Sequence, residues 1–190
     1  MGAVADVRAH RRQAREQYKP SKLKVLLIAE APPSDDARYF YFDDVPHHDG
    51  LFVELMKVMY ADDFMSYVGN RRPAGKRDWL RRFQEDGYWL LDAAEEPLDG
   101  APKGGPSRVR FLVAKSDLLE RLEELSGQGY VSAKTRFILI KATVYDAFFG
   151  LLAAHGYSVI DRRIPFPGSG QQGRFRKPFG EALDPLRARR

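Results

Sequence analysis

Two acidic side chains follow short apolar runs of the sequence and could do electrostatic or acid–base chemistry. Glu30 comes directly after residues 23–29, and Asp92 closes residues 88–92. Short, continuous apolar runs of this kind are typical of parallel strands that are covered on both faces. Ligands of open parallel sheets bind at the carboxyl ends of the strands. Both carboxylates are therefore expected at such an edge, where they could stabilise a positive charge or activate water. The simpler interpretation is that each is a solvated loop or helix-capping carboxylate.

A proline- and glycine-rich segment at residues 164–170 is the second candidate for a site. Gly168, Ser169 and Gly170 allow close approach of a ligand to the backbone, and their N–H groups could bind a phosphate. The alternative is a tight turn after a strand. The segment is followed by polar and basic residues, which are Gln171, Gln172, Arg174, Arg176 and Lys177.

The elements that must position these residues alternate between strand and helix patterns. Strands are predicted at residues 23–29, 88–92, 136–141 and 157–160. Helical spacing of apolar residues separates them, with Ser116 and Thr143 as expected helix caps and a last helix near residues 174–187. This order predicts one α/β domain over residues 1–190, a three-layer α/β/α sandwich around a four-stranded parallel sheet. Residues 1–20 are expected to form a basic helix that packs loosely or touches DNA.

The two candidate segments together resemble the paired active-site motifs of the uracil-DNA glycosylase superfamily. The segment Ala29-Glu30-Ala31-Pro32-Pro33 is similar to the first motif, Gly-Glu-Ala-Pro-Gly. The segment Phe166-Pro167-Gly168-Ser169 is similar to the second, which is usually His-Pro-Ser. In order and spacing, the resemblance covers about residues 20–180.

The resemblance implies the sheet order 2-1-3-4 and a glycosylase that extrudes a damaged or deaminated base and hydrolyses its N-glycosidic bond. Glu30 would face the positively charged sugar, and Asp92 would read the base where the family usually has Asn. The implied base-binding residues are Pro32, Tyr39, Phe40, Tyr41 and Phe166. The implied DNA-binding residues are Gly168, Ser169, Gly170, Gln171, Gln172, Arg174, Arg176 and Lys177, with Gln171 and Gln172 in the position of the family's wedge residue.

Two departures from the motifs change the expected substrate. Ala29 replaces a Gly, and Phe166 replaces the His that donates a hydrogen bond to the leaving base. Lys141 or an Arg could take over that donation. An ionised Asp92 only accepts hydrogen bonds, which disfavours a carbonyl facing it. Uracil excision is therefore not expected, and a purine such as hypoxanthine or xanthine is favoured.

Composition narrows the remaining possibilities. The chain has a net charge of +5, and basic residues are concentrated in three acid-poor segments, residues 71–77, 101–115 and 162–180, which favours DNA as the partner. It has no cysteine, so a Cys-ligated iron–sulfur cluster or zinc site is excluded. His47 and His48 are adjacent without a third ligand nearby, so neither a metal nor another cofactor is expected. No apolar run is long enough to span a membrane, and no secretory signal is seen, so a cytoplasmic monomer is expected.

Two other functions are compatible with the same residues. The first is a DNA-binding protein of this fold without catalytic activity, which the missing His favours. The second is a small-molecule nucleotide hydrolase that uses Glu30 and Asp92, against which the three basic segments count.

Overall fold

A central parallel sheet is formed by the four apolar runs of the sequence. The computed structural model describes residues 2–45, 49–61, 63–64, 75–168 and 170–187. The strands are β1 (Val25–Ala29), β2 (Tyr88–Asp92), β3 (Arg136–Leu139) and β4 (Ser158–Val159). The helices in these ranges are α1 (Gly2–Gln17), α2 (Gly50–Met59), α3 (Lys76–Glu85), α4 (Gly105–Lys115), α5 (Leu118–Gly127), α6 (Ala142–Ala154) and α7 (Gln172–Arg187). No helix in this described part combines the length and apolarity needed to cross a bilayer.

The strand order is β2-β1-β3-β4, which confirms the predicted α/β fold and the order implied by the resemblance. Central strand β1 is buried along its whole length and pairs with β2 and β3 in parallel register. Its residue Ala29 lies opposite Asp92, and Val25 lies opposite Arg136. Helices between successive strands supply the long crossovers that parallel pairing requires. The register brings the carboxyl ends of the strands to one edge of the sheet.

The two later strands are shorter than predicted. β3 ends at Leu139, but the Ile140 N–H still donates to the Ile28 carbonyl at 2.8 Å. β4 has only two residues, and a single bridge joins Ile140 to Ile164 beyond it. This bridge brings the start of the second motif, Ile164, next to the end of β3.

The aromatic cluster after β1 closes the outer edge of β2. The Tyr41 hydroxyl donates to the Leu90 carbonyl at 3.1 Å and accepts from the Leu90 N–H at 2.7 Å. Both backbone groups of Leu90 are thereby satisfied on the side that has no neighbouring strand, which protects an edge from further pairing. Tyr41 is fully buried, so its ring is part of the core.

The prediction that α1 packs loosely is wrong, because its arginines anchor it to the domain. Arg11 and Arg15 are buried. The Arg11 guanidinium bonds to the Asp36 carboxylate and donates to the Pro33 carbonyl at 3.0 Å. Arg15 donates to Glu95 at 3.2 Å. A run of arginines cannot by itself show whether the guanidinium groups face solvent or acids, and here all four of them pair with acids.

Two local predictions about helices are also wrong. The proline- and glycine-rich residues 97–106 predict a loop, but α4 begins within them, at Gly105. Pro106 lies in the first turn of α4, where a missing N–H costs no hydrogen bond. Thr143 does not cap α6, because that helix begins at Ala142, directly after Lys141.

Candidate functional site

Three neighbouring strands each deliver a charged residue to the carboxyl edge of the sheet. Asp92 ends β2, Glu30 follows β1, and Lys141 comes two residues after β3. The first two segments stay joined past the strand ends, because Ala93 N–H donates to the Ala29 carbonyl at 2.8 Å. Strand alternation would send Glu30 and Asp92 to opposite faces. Glu30 lies beyond the last paired residue of β1, however, so this alternation does not govern its side chain.

A cavity of about 150 Å³ at this edge receives both carboxylates. Charged residues and aromatic rings dominate its wall. The lining residues are Ala29, Glu30, Ala31, Pro33, Arg38, Tyr39, Phe40, Asp49, Leu51, Leu90, Asp92, Lys141 and Phe166. A cavity of this size holds one six-membered ring, as an engineered apolar cavity of the same volume holds benzene.

Glu30 is held by two cations. The Arg108 guanidinium forms a two-point contact with its carboxylate, at 3.0 Å for Nε and 2.6 Å for Nη2. The Lys141 ammonium bonds to the same oxygen as Nη2. Burial acts to raise the pKa of Glu30, but the hydrogen bonds from Arg108 and Lys141 outweigh it and leave the pKa below its usual value. Glu30 is therefore an ionised carboxylate with a fixed orientation.

Asp92 has the opposite environment. Its side chain is buried, and no hydrogen-bond donor among the described residues reaches its carboxyl oxygens. Burial raises the pKa of Asp92 to about 7, against the attraction of Arg15, Arg121 and Arg11. Near neutral pH, Asp92 is therefore divided between a carboxylate, which only accepts, and a carboxylic acid, which can also donate. Glu30 and Asp92 thus differ in their protonation states near neutral pH.

A third carboxylate, Asp49, lines the cavity from the start of α2. It caps that helix by accepting from the Leu51 N–H at 3.1 Å and the Phe52 N–H at 3.0 Å. Burial nevertheless raises the pKa of Asp49. Lys76 lies fully buried nearby and donates to the Tyr39 carbonyl at 3.2 Å, and burial lowers its pKa to about 8. Lys76 thus holds one wall of the cavity and places a positive charge beneath it.

The predicted base-binding residues divide into two groups. Tyr39, Phe40 and Phe166 line the cavity. Tyr41 and Pro32 do not, since Tyr41 bonds to β2 and Pro32 is buried outside the wall. Phe166 is 41% exposed, which gives the site an aromatic ring open to solvent.

The glycine-rich segment forms the tight turn that was the simpler alternative. The Gln171 N–H donates to the Gly168 carbonyl at 2.8 Å, and Gly170 has a φ of 76°. Gly168, Gly170 and Gln171 do not line the cavity. Gln171 is exposed and Gln172 is half-buried at the start of α7. Ser169 lies outside the described residues, as do His47 and His48.

Most arginines of the acid-poor segments pair with acids from elsewhere in the chain. Arg163 pairs with Asp146 at 2.8 Å, Arg162 with Glu181 at 3.3 Å, and Arg176 with the buried Glu54 at 2.5 Å. Arg108 pairs with Glu30, and Arg77 with Asp43. Within the described ranges, Arg174 and Lys177 make no ion pair and are exposed. Arg71 and Arg72 lie outside those ranges.

A network of arginines lies behind Asp92. Glu95 is surrounded by Arg8 at 2.5 Å, Arg15 at 3.2 Å, Arg12 at 3.3 Å and Arg121 at 3.8 Å. Burial opposes ionisation, but the hydrogen bond from Arg8 and the charges of Arg121, Arg15 and Arg8 lower the pKa of Glu95 to about 2. The cluster joins α1 and α5 to the segment that carries Asp92, which fixes that segment in place.

Two residues of the site were not assigned to it from the sequence. Lys141, the last residue of a predicted strand, was named from the sequence as a substitute donor for the missing histidine. Arg108 was interpreted as part of a DNA-binding surface, since α4 was not predicted. Asp49 carries a helix-cap signal, and nothing in the sequence indicates that it reaches the cavity.

No group of three or more His, Cys, Asp or Glu side chains in the described part of the chain could hold a metal ion. The groups at the cavity are the ionised carboxylate of Glu30, the acids Asp92 and Asp49 with raised pKa values, and the cations Lys141 and Arg108 that contact Glu30. Comparisons with protein-family models, with curated proteins and with solved structures give no match.

Proposed function

We propose that the protein is a DNA glycosylase that accepts an extruded base in the cavity at the carboxyl edge of the sheet. One observation carries the proposal. Glu30 and Asp92, from separate segments of the chain, line the same ring-sized cavity together with Phe40 and Phe166. The ordered pair of motifs that resembles the uracil-DNA glycosylase superfamily supports it. A base would lie between aromatic rings, with Asp92 at its edge and Glu30 beside the sugar.

The contacts of Glu30 suit the hydrolysis of an N-glycosidic bond. When that bond breaks, its electron pair leaves with the base and positive charge develops on the sugar. Glu30 is already ionised and oriented by Arg108, so its charge can stabilise the sugar without reorganisation. Water then adds to C1′ and gives its proton to the Glu30 carboxylate, which passes it to solvent and completes the reaction. Lys141, on the same wall, donates to the departing base in place of the missing histidine.

The cavity favours a base with one ring over the purines that the sequence favoured. A volume of about 150 Å³ matches a pyrimidine better than a two-ring base. The sequence also predicted that Asp92 disfavours a base whose carbonyl faces it. That prediction weakens, because it assumed an ionised Asp92. With its pKa raised by burial to about 7, Asp92 in its acid form can donate to a carbonyl. A deaminated or damaged pyrimidine is thus the proposed substrate.

The test is release of abasic sites from a panel of duplexes that carry uracil, oxidised pyrimidines, hypoxanthine, xanthine or alkylated bases. Multiple turnover is expected on a pyrimidine lesion, with little product from the purines. Free nucleotides are included, since hydrolysis of those alone would favour the nucleotide-hydrolase alternative. Binding to every duplex without turnover would overturn the catalytic proposal.

A second candidate is a DNA-binding protein without catalytic activity. The double engagement of Glu30 favours it, because Arg108 and Lys141 together occupy both carboxylate oxygens. In that case the cavity would still bind an extruded base, but water activation would be lost. The duplex panel separates the two candidates, since only the first predicts abasic sites.

Replacing Arg174 and Lys177 by Ala is expected to weaken duplex binding and to reduce its salt dependence. Both side chains are exposed on α7 without an acidic partner in the described part of the chain, so they are available to phosphates. Loss of two phosphate contacts should make the slope of log affinity against log salt shallower by about 2. Fluorescence anisotropy over a salt series measures this slope.

The matched control is Lys22→Ala with Lys134→Ala, which removes the same charge. Both lysines are exposed and precede β1 and β3, at the opposite edge of the sheet. The control should leave the slope unchanged. Arg176 is not included, because its removal would leave the buried Glu54 carboxylate without this partner. Equal slopes for the two double variants would exclude the α7 surface as the DNA contact.

A further inference from the structure

Lys141 has a strained backbone that directs an amine into the cavity. Among the described residues, it is the only one other than glycine with a positive φ, at 84°. L residues adopt this region only at a cost in free energy, and such strain concentrates at functional sites. The Lys141 side chain bonds to Glu30, and its Nζ lies 5.8 Å from the centre of the Phe166 ring. The Lys141 side chain is 30% exposed, so a ligand can reach its amine.

The position of the Lys141 amine relative to a bound sugar follows from its contact with Glu30. In the proposed function Glu30 lies beside C1′, and the inference rests on that placement. A group that bonds directly to the Glu30 carboxylate lies within reach of the same carbon. Once the base has left, this carbon is an aldehyde in the ring-opened sugar. A primary amine next to an aldehyde is the arrangement that forms a Schiff base.

We propose that the protein has a second activity as an abasic-site lyase, with Lys141 as the nucleophile. The neutral amine adds to the C1′ aldehyde, and water leaves to give an imine. A carboxylate then removes a proton from C2′, and the C3′–O bond breaks with its electron pair leaving on the phosphate oxygen. Hydrolysis of the imine returns the amine and releases a cleaved strand. No oxidant or metal is required for this balance.

The surroundings of Lys141 supply the two proton transfers. The addition requires a neutral amine. During base release the departing base anion takes the proton of the Lys141 ammonium, and at a preformed abasic site buffer base takes it. Glu30 is the carboxylate beside it, and Arg108 keeps Glu30 ionised and therefore able to accept the C2′ proton.

The other lysines of the described chain lack this geometry. Among the described residues, Lys141 is the only lysine on the wall of the cavity. Lys76 lies near the same wall but is fully buried, with its amine on the Tyr39 carbonyl. The proposal therefore assigns the imine to one side chain, and that assignment can be tested directly.

The test uses a duplex with a preformed abasic site, so that it does not depend on base excision. The full chain is mixed with this duplex at pH 8 and treated with borohydride, which reduces an imine to a stable covalent adduct. The wild type is expected to form the adduct and to cleave the strand. Lys141→Arg keeps the positive charge facing Glu30 but cannot form the imine, and it should give at least about tenfold less adduct while binding the duplex normally.

Lys134→Arg is the control for adducts at surface lysines and should match the wild type. A wild-type protein that binds the abasic duplex without forming an adduct overturns the proposal. An adduct yield from Lys141→Arg equal to that of the wild type also overturns the proposal. Peptide mapping that places the adduct on any other lysine overturns it too. Failure of the glycosylase proposal looks different, because the adduct would form while no base is released from the lesion panel.

Discussion

Glu30→Gln is expected to lower turnover on the preferred lesion duplex by about 10²- to 10⁴-fold while duplex binding is kept. The amide preserves the size of the side chain and removes the negative charge that would face the developing positive charge of the sugar. In the wild type, hydrogen bonds from Arg108 and Lys141 keep the Glu30 carboxylate ionised and fix its orientation. The measurement is a single-turnover rate of abasic-site formation, together with duplex affinity by anisotropy.

Loss of folding must be separated from loss of chemistry in this variant, because the substitution leaves Arg108 and Lys141 without their shared counter-charge. Thermal unfolding of Glu30→Gln reports any such effect. Glu181→Gln changes a carboxylate to an amide in an ion pair with Arg162, and neither residue lines the cavity. It should keep the wild-type rate. Turnover by Glu30→Gln at the wild-type rate would remove Glu30 from the mechanism.

The free energy of unfolding of Asp92→Asn, taken relative to that of the wild type, is expected to be higher at pH 8 than at pH 4. The expected change in this difference is on the order of 4 kcal/mol. Burial raises the pKa of Asp92 from a usual 3.8 to about 7. Between these values the folded state retains a proton that the unfolded chain releases. The contribution of Asp92 to wild-type stability therefore falls as pH rises from about 4 to 7 and does not recover above 7. Asparagine does not titrate, so the variant lacks this decline.

Urea unfolding at pH 4 and pH 8, followed through the fluorescence of the buried Trp89, measures the two differences. Asp184→Asn is the control, since Asp184 is an exposed carboxylate on α7. Its effect should be small at both pH values. A stability difference for Asp92→Asn that does not change with pH would show that Asp92 is ionised in the folded protein. The sequence-based preference for a base without a facing carbonyl would then regain its support.

The parallel strands and the position of two carboxylates at their common edge could be predicted from sequence for a physical reason, whereas the strand order was implied only by the resemblance. Strands buried on both faces have continuous apolar runs, and parallel strands must end at a common edge. The ends of β3 and β4 were placed less well. Ile140 and Ile164 pair through one isolated bridge, and residues 157–160 retain only two strand residues. Strand pairing over so few residues depends on tertiary contacts, which the β-propensity of the local sequence does not reflect.

The partners of the charged residues could not be predicted. Arg108 and Arg163 belong to acid-poor stretches of sequence, yet each meets an acid from a distant element. Net charge along a segment describes only neighbours in the chain, whereas ion pairs join residues that the fold brings together. The strained φ of Lys141 was unpredictable for a similar reason, since surrounding packing must impose it.

The central position of β1 has a consequence for synthesis of the chain on the ribosome. Val25 pairs with Tyr88 on one side and with Arg136 on the other, so the first strand to be made is completed by partners made much later. At about 5–20 residues per second, the delay before β3 emerges is on the order of 10 s. Until then the five apolar residues of β1, all buried in the finished sheet, lack the neighbouring strand on at least one side. The nascent chain therefore needs transient cover for β1, and its yield depends on that cover as well as on the stability of the folded domain.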